Sequence, residues 1–262
     1  MGLFNRNRGQ STAALEAEYS AAPRTITLTK STGPAVDRAT VEQRGSVDLT
    51  KKFDKAGISL SKAGLDGIRA EAVMILDHSG SMLDDYRNGL VQTLVDRALA
   101  FALRIDGDGT IPVLPFDSRL WPTVTVGLDN YHGVVDRDIF RPQRMGGTYL
   151  SYPLQAVLDM AKTADSPLYV VIVTDDDPTD EHDVIRLLKE LKRHPVFVKV
   201  LTLVSAPFWD RMDDLTVPGL IDNLDAKRIK DPAGMSDLAF ADAMVDEWST
   251  WIELATRAGI LQ

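Results

Sequence analysis

The chain reads as an α/β protein built on a doubly wound, mostly parallel central sheet flanked by helices, and three observations lead there. From residue 70 onward, short apolar runs alternate with longer segments of helical period, the pattern of successive βαβ units. Two of those runs, 72–76 (AVMIL) and 168–173 (LYVVIV), are continuously apolar, as strands buried on both faces must be. Each of the two then passes abruptly into acids and hydroxyls, which places polar chemistry beyond the carboxyl ends of buried strands.

The elements follow in order. Residues 1–22 are rich in small and polar residues and form a flexible lead-in, with a short helix expected over 13–19. Residues 23–66 carry short β-prone pieces at 25–28, 46–49 and 58–60, and are expected to be an extension ahead of a main domain spanning 67–262. Within that domain, Leu90, Leu94, Ala98, Phe101, Ala102 and Ile105 fall on one helical stripe, stopped by the sequence DGDG at 106–109. The run 111–116 is a strand carrying Pro112 and Pro115, which suits an edge or strand ends, and 123–126 is an adjacent edge strand. Helices are expected from the spacing of Leu154, Val157, Leu158 and Ala161, and again over 181–193, with a strand at 196–204 and a last short one at 220–224. Ala241, Met244, Val245, Trp248, Trp251, Ile252 and Ala255 predict one long closing helix whose aromatic stripe is core.

Composition narrows the function. A hydrophobic fraction of 44% and a charged fraction of 26% are those of an ordinary globular protein. The net charge of −9 argues against a general nucleic-acid face, which needs clustered Lys and Arg. With no cysteine, disulfide frameworks, thiolate nucleophiles and Cys-bound zinc are all excluded. The early sequence MGLFNRNRGQ lacks the apolar run of a signal peptide, and no later segment approaches transmembrane length. A cytoplasmic protein is the expectation.

The stretch VMILDHSGSM at 73–82 sets Asp77, Ser79 and Ser81 at alternate positions, with Gly80 allowing a tight turn. Asp175 closes the second buried strand at the same sheet edge, and Gly146-Gly147-Thr148 precedes a helix that reaches it. Two carboxylates and three hydroxyls are hard oxygen donors of the kind Mg²⁺ or Mn²⁺ prefers, with Ca²⁺ also possible. Two carboxylates balance a dication, and the open coordination position suits an acidic side chain of a protein partner. His78 falls between the ligand positions and is expected at the surface or behind the ligands. Asp176 and Asp177 read as a solvated loop, with Asp180 as N-cap of the following helix.

Asp77-His-Ser79-Gly-Ser81 resembles the DxSxS motif of von Willebrand factor A (vWA) domains, Thr148 in MGGTYL their second-motif threonine, and Asp175 in VIVTDDD their third-motif aspartate. The resemblance implies the Rossmann-like vWA fold over about 70–262 and a metal-ion-dependent adhesion site (MIDAS) made of Asp77, Ser79, Ser81, Thr148 and Asp175. Within the superfamily the chain resembles the bacterial TerF-like branch associated with tellurium resistance and stress response. The preceding GSVDLTKKFDKAGISLSKAGL looks like the opening strands of TerD-type proteins, a fragment too short for their whole domain. One departure from many A domains is Asp176 where glycine follows the third-motif aspartate.

The implied function is a non-enzymatic, metal-dependent interaction module. A metal-assisted phosphoesterase or phosphotransferase is the alternative from another class, with no Asp-x-Asp pair in the first loop, no Walker A loop and no evident general base in its favour. A calcium-tuned structural protein is the third.

Overall fold

A computed structural model describes residues 25–262. The helices α1 (Arg38–Arg44) and α2 (Val47–Lys62) come first. Then follow β1 (Glu71–Asp77), the short α3 (Leu83–Arg87), α4 (Leu90–Ile105), β2 (Thr110–Phe116) and β3 (Val124–Gly127). The second half holds α5 (Ser151–Thr163), β4 (Leu168–Thr174), α6 (Glu181–Leu191), β5 (Val196–Thr202), α7 (Pro207–Asp213), β6 (Leu224–Arg228), α8 (Asp237–Val245) and α9 (Trp248–Arg257).

The six strands form one sheet in the order β3-β2-β1-β4-β5-β6, parallel throughout except for β3, which runs antiparallel to β2. From β1 the chain winds outward first to β2 and later, across the sheet, to β4, so the reversal of strand order lies between β1 and β4. Alternation along each strand divides the core in two. Ala72, Met74 and Leu76 of β1 face the layer of α2, α4, α8 and α9, whereas Val73 and Ile75 face α5 and α6.

The prolines of β2 sit where the strand has only one neighbour. Pro112 is paired with β3 but lies before the register with β1 begins at Val113, and Pro115 is paired with β1 beyond the last β3 pair. Each missing N–H is thus tolerated in a strand that is not at the sheet edge.

Three expectations are corrected. The segment 46–62 is helical, not β-prone or TerD-like in its strands: Ser46 caps α2 by accepting from Leu49 N at 3.0 Å, and Leu49, Phe53, Ala56 and Leu60 are buried at helical spacing. Only 25–28 is extended, with Ile26 N donating to Ile260 O at 3.0 Å and Gln262 N to Ile26 O at 2.9 Å. The single closing helix is two helices. Asp246 O accepts Lys199 Nζ at 2.9 Å and Trp248 N at 2.8 Å, and Glu247 turns into the left-handed region at φ 60°, ending α8. Finally, the last strand starts at Leu224 rather than Leu220. It is an edge strand bearing Asp225, Lys227 and Arg228, so its apolar signal is weak. The helix expected over 13–19 lies outside the described residues.

The hydrophobic core crosses residue 67. Phe53, Leu49 and Leu60 of α2 belong to the same buried cluster as Met74 of β1, Leu94 and Phe101 of α4, and Met244 of α8. A chain starting at residue 67 therefore exposes the outer faces of α4 and α8. It is expected to be insoluble or non-cooperative in thermal melting, whereas one starting at residue 25 melts cooperatively.

One charged pair is buried within this core layer. Lys199 is on β5 opposite Asp225 of β6, is fully buried, and its ammonium contacts the Asp225 carboxylate. Removing one member strands the other charge, so Lys199→Met is expected to cost about 3–5 kcal/mol in urea denaturation. Lys199→Met with Asp225→Asn should recover much of that. A single-variant loss below about 1 kcal/mol would show the pair to be energetically idle.

Candidate functional site at the carboxyl edge of β1 and β4

Asp77 is the last residue of β1 and fully buried. Its two carboxylate oxygens accept from different elements: Oδ1 from Ser79 N at 2.7 Å, and Oδ2 from Thr174 Oγ1, at the end of β4, at 2.6 Å. Its own carbonyl accepts from the Tyr86 hydroxyl of α3 at 2.9 Å. Burial pushes the Asp77 carboxyl up to about 7, against the Thr174 and Ser79 hydrogen bonds, which hold it down.

The hydroxyls continue from there. Ser79 Oγ and Ser81 Oγ are 3.0 Å apart, and Ser81 Oγ donates to Asp175 Oδ1 at 2.9 Å. Asp175 is also raised, chiefly by burial and then by the neighbouring carboxylates of Asp176 and Asp85. Among the described residues neither Asp77 nor Asp175 forms an ion pair with a Lys, Arg or His side chain. The glycine loop lies directly alongside, since Gly80 N donates to Gly146 O at 2.9 Å. A Cβ at Gly146 would stand 2.6 Å from Ser118 Oγ, so glycine is what lets the backbone come this close. Thr148 is buried beside it, with its carbonyl accepting from Thr179 N at 2.7 Å.

Of the five residues expected from sequence, Asp77, Ser79, Ser81 and Asp175 are linked in one hydrogen-bonded chain, and Thr148 lies on the loop that touches that chain through its backbone. The acids after Asp175 have other work. Asp177 Oδ1 accepts from Phe208 N at 2.9 Å, in the first turn of α7. Asp180 occupies the N-cap position of α6, but its carboxylate accepts from Leu150 N and Ser151 N, both at 3.0 Å, and so caps α5 instead.

His78 is buried rather than at the surface. Arg141 N donates to its Nε2 at 3.0 Å, which puts the ring proton on Nδ1, facing Asp117 Oδ2 at 3.4 Å. Burial lowers its pKa, so the ring is held neutral. Sequence reasoning missed Thr174, Tyr86 and Asp117. Asp117 follows β2 as Asp175 follows β4, so the rule of reading acids at strand ends would have found it had it been applied to the third strand.

Comparison with known proteins identifies the fold family. Residues 69–261 match the vWA-TerF-like family, described as the vWA found in the TerF C terminus. The chain belongs to this family. Protein YcbR of Bacillus subtilis (strain 168), itself described as uncharacterized, is 29% identical over 223 residues, covering 83% of this chain and 90% of that protein. Among solved structures, the von Willebrand factor type A protein from Catenulispora acidiphila is similar at 16% identity and a TM-score of 0.47, over 69% of this chain. This chain spans only 42% of the length of that one. The SpRpn10 VWA domain is similar at 15% identity and a TM-score of 0.47, over 66% of this chain and 93% of that domain. The sheet order and flanking helices of this vWA-TerF-like domain are those of the vWA Rossmann-like fold. Among its described residues no helix is long and apolar enough to cross a membrane.

The environment of Asp77 makes a pH prediction for the metal-free protein. Its folded pKa, about 7, lies above the usual 3.8, so ionisation is resisted by the fold. Well below the unfolded value of 3.8 the group is protonated in both states and contributes no pH dependence. As pH rises toward 7 the unfolded chain releases its proton first and stability falls, by on the order of a few kcal/mol in all. With chelator present, Asp77→Asn should flatten this fall in denaturation curves taken from pH 4 to 8. Parallel curves for the two proteins would remove burial of Asp77 as its cause.

Proposed function

We propose that this vWA-TerF-like domain is a protein-interaction module that holds a divalent cation at the carboxyl edge of β1 and β4. There it presents the cation to an acidic side chain of a protein partner, as a cytoplasmic component of a bacterial tellurium-resistance and stress-response system. The observation that carries the reading is the hydrogen-bonded chain from Asp77 through Ser79 and Ser81 to Asp175, beside the Gly146–Thr148 loop. Two carboxylates stand close together there without a cationic side chain to balance either, which is the charge a dication would supply.

In this reading Ser79, Ser81 and Thr148 offer hydroxyls, and Asp77 and Asp175 act directly or through water. The donor set suits Mg²⁺, and equally Mn²⁺, with Ca²⁺ also possible where waters complete the shell. The bound ion supplies Lewis-acid attraction for a partner carboxylate. The protein's part is to hold its oxygens in place: Thr174 and Ser79 N fix both oxygens of Asp77, and Tyr86 anchors the strand end from below. The tellurium-resistance assignment draws on the family description, which places this type of domain at the TerF C terminus.

Calorimetric titration of Mg²⁺, Mn²⁺ and Ca²⁺ into chelator-stripped protein tests the reading. One site per chain is expected for Mg²⁺ and Mn²⁺, weakened at least about tenfold by Asp175→Ala, which removes one of two charged ligands. Absence of binding at millimolar metal, or binding unaffected by Asp175→Ala, would overturn it.

A further inference from the structure

Five large hydrophobic side chains stand exposed among the described residues: Val47, Ile58, Tyr149, Tyr152 and Val204. Three of them share the edge that carries the oxygen chain. Tyr149 follows Thr148, Tyr152 is in the first turn of α5, and Val204 comes two residues after β5. They surround the loop after β4, which is stitched to all of their segments. Thr179 N donates to Thr148 O at 2.7 Å, the Asp180 carboxylate takes the N–H groups of Leu150 and Ser151, and Leu203 N donates to Thr174 O at 3.0 Å.

The tyrosines differ from the others described. Tyr86, Tyr131 and Tyr169 are buried and their hydroxyls are engaged with Asp77 O, Ser46 N and Met244 O. Tyr149 and Tyr152 are 37% and 49% exposed, and among the described residues their hydroxyls have no such partner. An aromatic ring with a free hydroxyl on a braced backbone loses little entropy on binding, which is why tyrosine anchors so many protein interfaces. The flank beyond Tyr149 carries one exposed guanidinium. Tyr149 N donates to Asp117 O at 3.1 Å, and two residues further on Arg119, with its side chain 63% exposed, pairs with the buried Asp117 carboxylate at 3.7 Å and lies over the Trp121 ring at 4.7 Å.

We infer that Tyr149 and Tyr152 form the apolar half of the docking surface, and that the partner is a protein segment carrying an Asp or Glu directly followed by a bulky apolar residue. This rests on the cation site proposed above. The acid turns toward the ion, the apolar side chain lies on the two rings, and Arg119 favours further negative charge on the segment. The flank of Arg119 and the dication give the surface its complementarity to an acidic segment, while the rings decide which acidic segment is taken.

The test uses three capped peptides, acetyl-Gly-Glu-Leu-Gly-amide, acetyl-Gly-Glu-Gly-Gly-amide and acetyl-Gly-Lys-Leu-Gly-amide. Each is titrated into the full chain in Mg²⁺ and followed by amide chemical shifts in nuclear magnetic resonance. The Glu-Leu peptide should bind about fivefold or more tightly than the Glu-Gly peptide, the gain from covering part of a leucine. The Lys-Leu peptide should not bind. In Tyr149→Ala/Tyr152→Ala, and in Tyr152→Ala alone if the double variant melts early, Mg²⁺ binding by calorimetry should stay and the Glu-Leu advantage should vanish. Equal binding of the Glu-Leu and Glu-Gly peptides, or an advantage that survives loss of both rings, overturns the inference while leaving the cation site intact. Failure of Mg²⁺ itself to bind overturns the reading beneath it. A dimer in sedimentation that dissociates in the double-tyrosine variant would show the surface to be covered by a second copy of this chain, and would overturn the acidic-segment assignment.

Discussion

Asp77 is a carboxylate without solvent, placed where the strand order of the sheet reverses, and the architecture of the whole edge answers to it. A buried carboxylate must either keep its proton or find positive charge and hydrogen-bond donors. The fold supplies two donors, from Ser79 N and the Thr174 hydroxyl, and those same bonds tie the turn after β1 to the end of β4. Among the described residues no cationic side chain pairs with it. The local free energy therefore depends on what ion or proton the site holds, which is the property a site that responds to a ligand requires.

Around this point the backbone is braced with unusual thoroughness by side chains that a reader of the sequence would assign to solvent. The run from Asp175 to Asp180 looks like a cluster of like charge, yet Asp177 takes an N–H at the start of α7 and Asp180 takes two at the start of α5. Both lie on helix N-termini, where negative charge is favoured by the dipole and by unpaired N–H groups. Only Asp175 is left with its carboxylate directed to the serine hydroxyl of the first loop. The acids thus divide: Asp177 and Asp180 brace helix starts, Asp176 accepts from Asp177 N within the loop, and Asp175 accepts from Ser81.

Legibility in the sequence tracked the range of the interactions involved. The strands β1 and β4 were readable because burial on both faces leaves an uninterrupted apolar run, and the strand-end acids because each directly follows such a run. The helix α2 is hard to read because Lys, Ser and Thr among its other positions mask the spacing of Leu49, Phe53, Ala56 and Leu60. The break between α8 and α9 was not readable at all. It depends on Lys199 reaching across from β5 to the Asp246 carbonyl, a contact between residues 47 apart that no local pattern records. The same holds for Asp180, whose sequence position names one helix and whose carboxylate caps another.

The two edges of the sheet differ in how well local and global requirements agree. At the amino edge residues 26–28 pair with 260–262, Ile26 N donating to Ile260 O and Gln262 N to Ile26 O, and α2 covers α4 and α8 with well-buried apolar residues. At the carboxyl edge a carboxylate is buried without a cationic side chain beside it among the described residues, a second is raised beside other acids, and two tyrosines stand open to solvent. Each of these costs stability or solubility. Unsatisfied polar groups and open aromatic rings gathered on one edge are what the proposed cation site and docking surface would use.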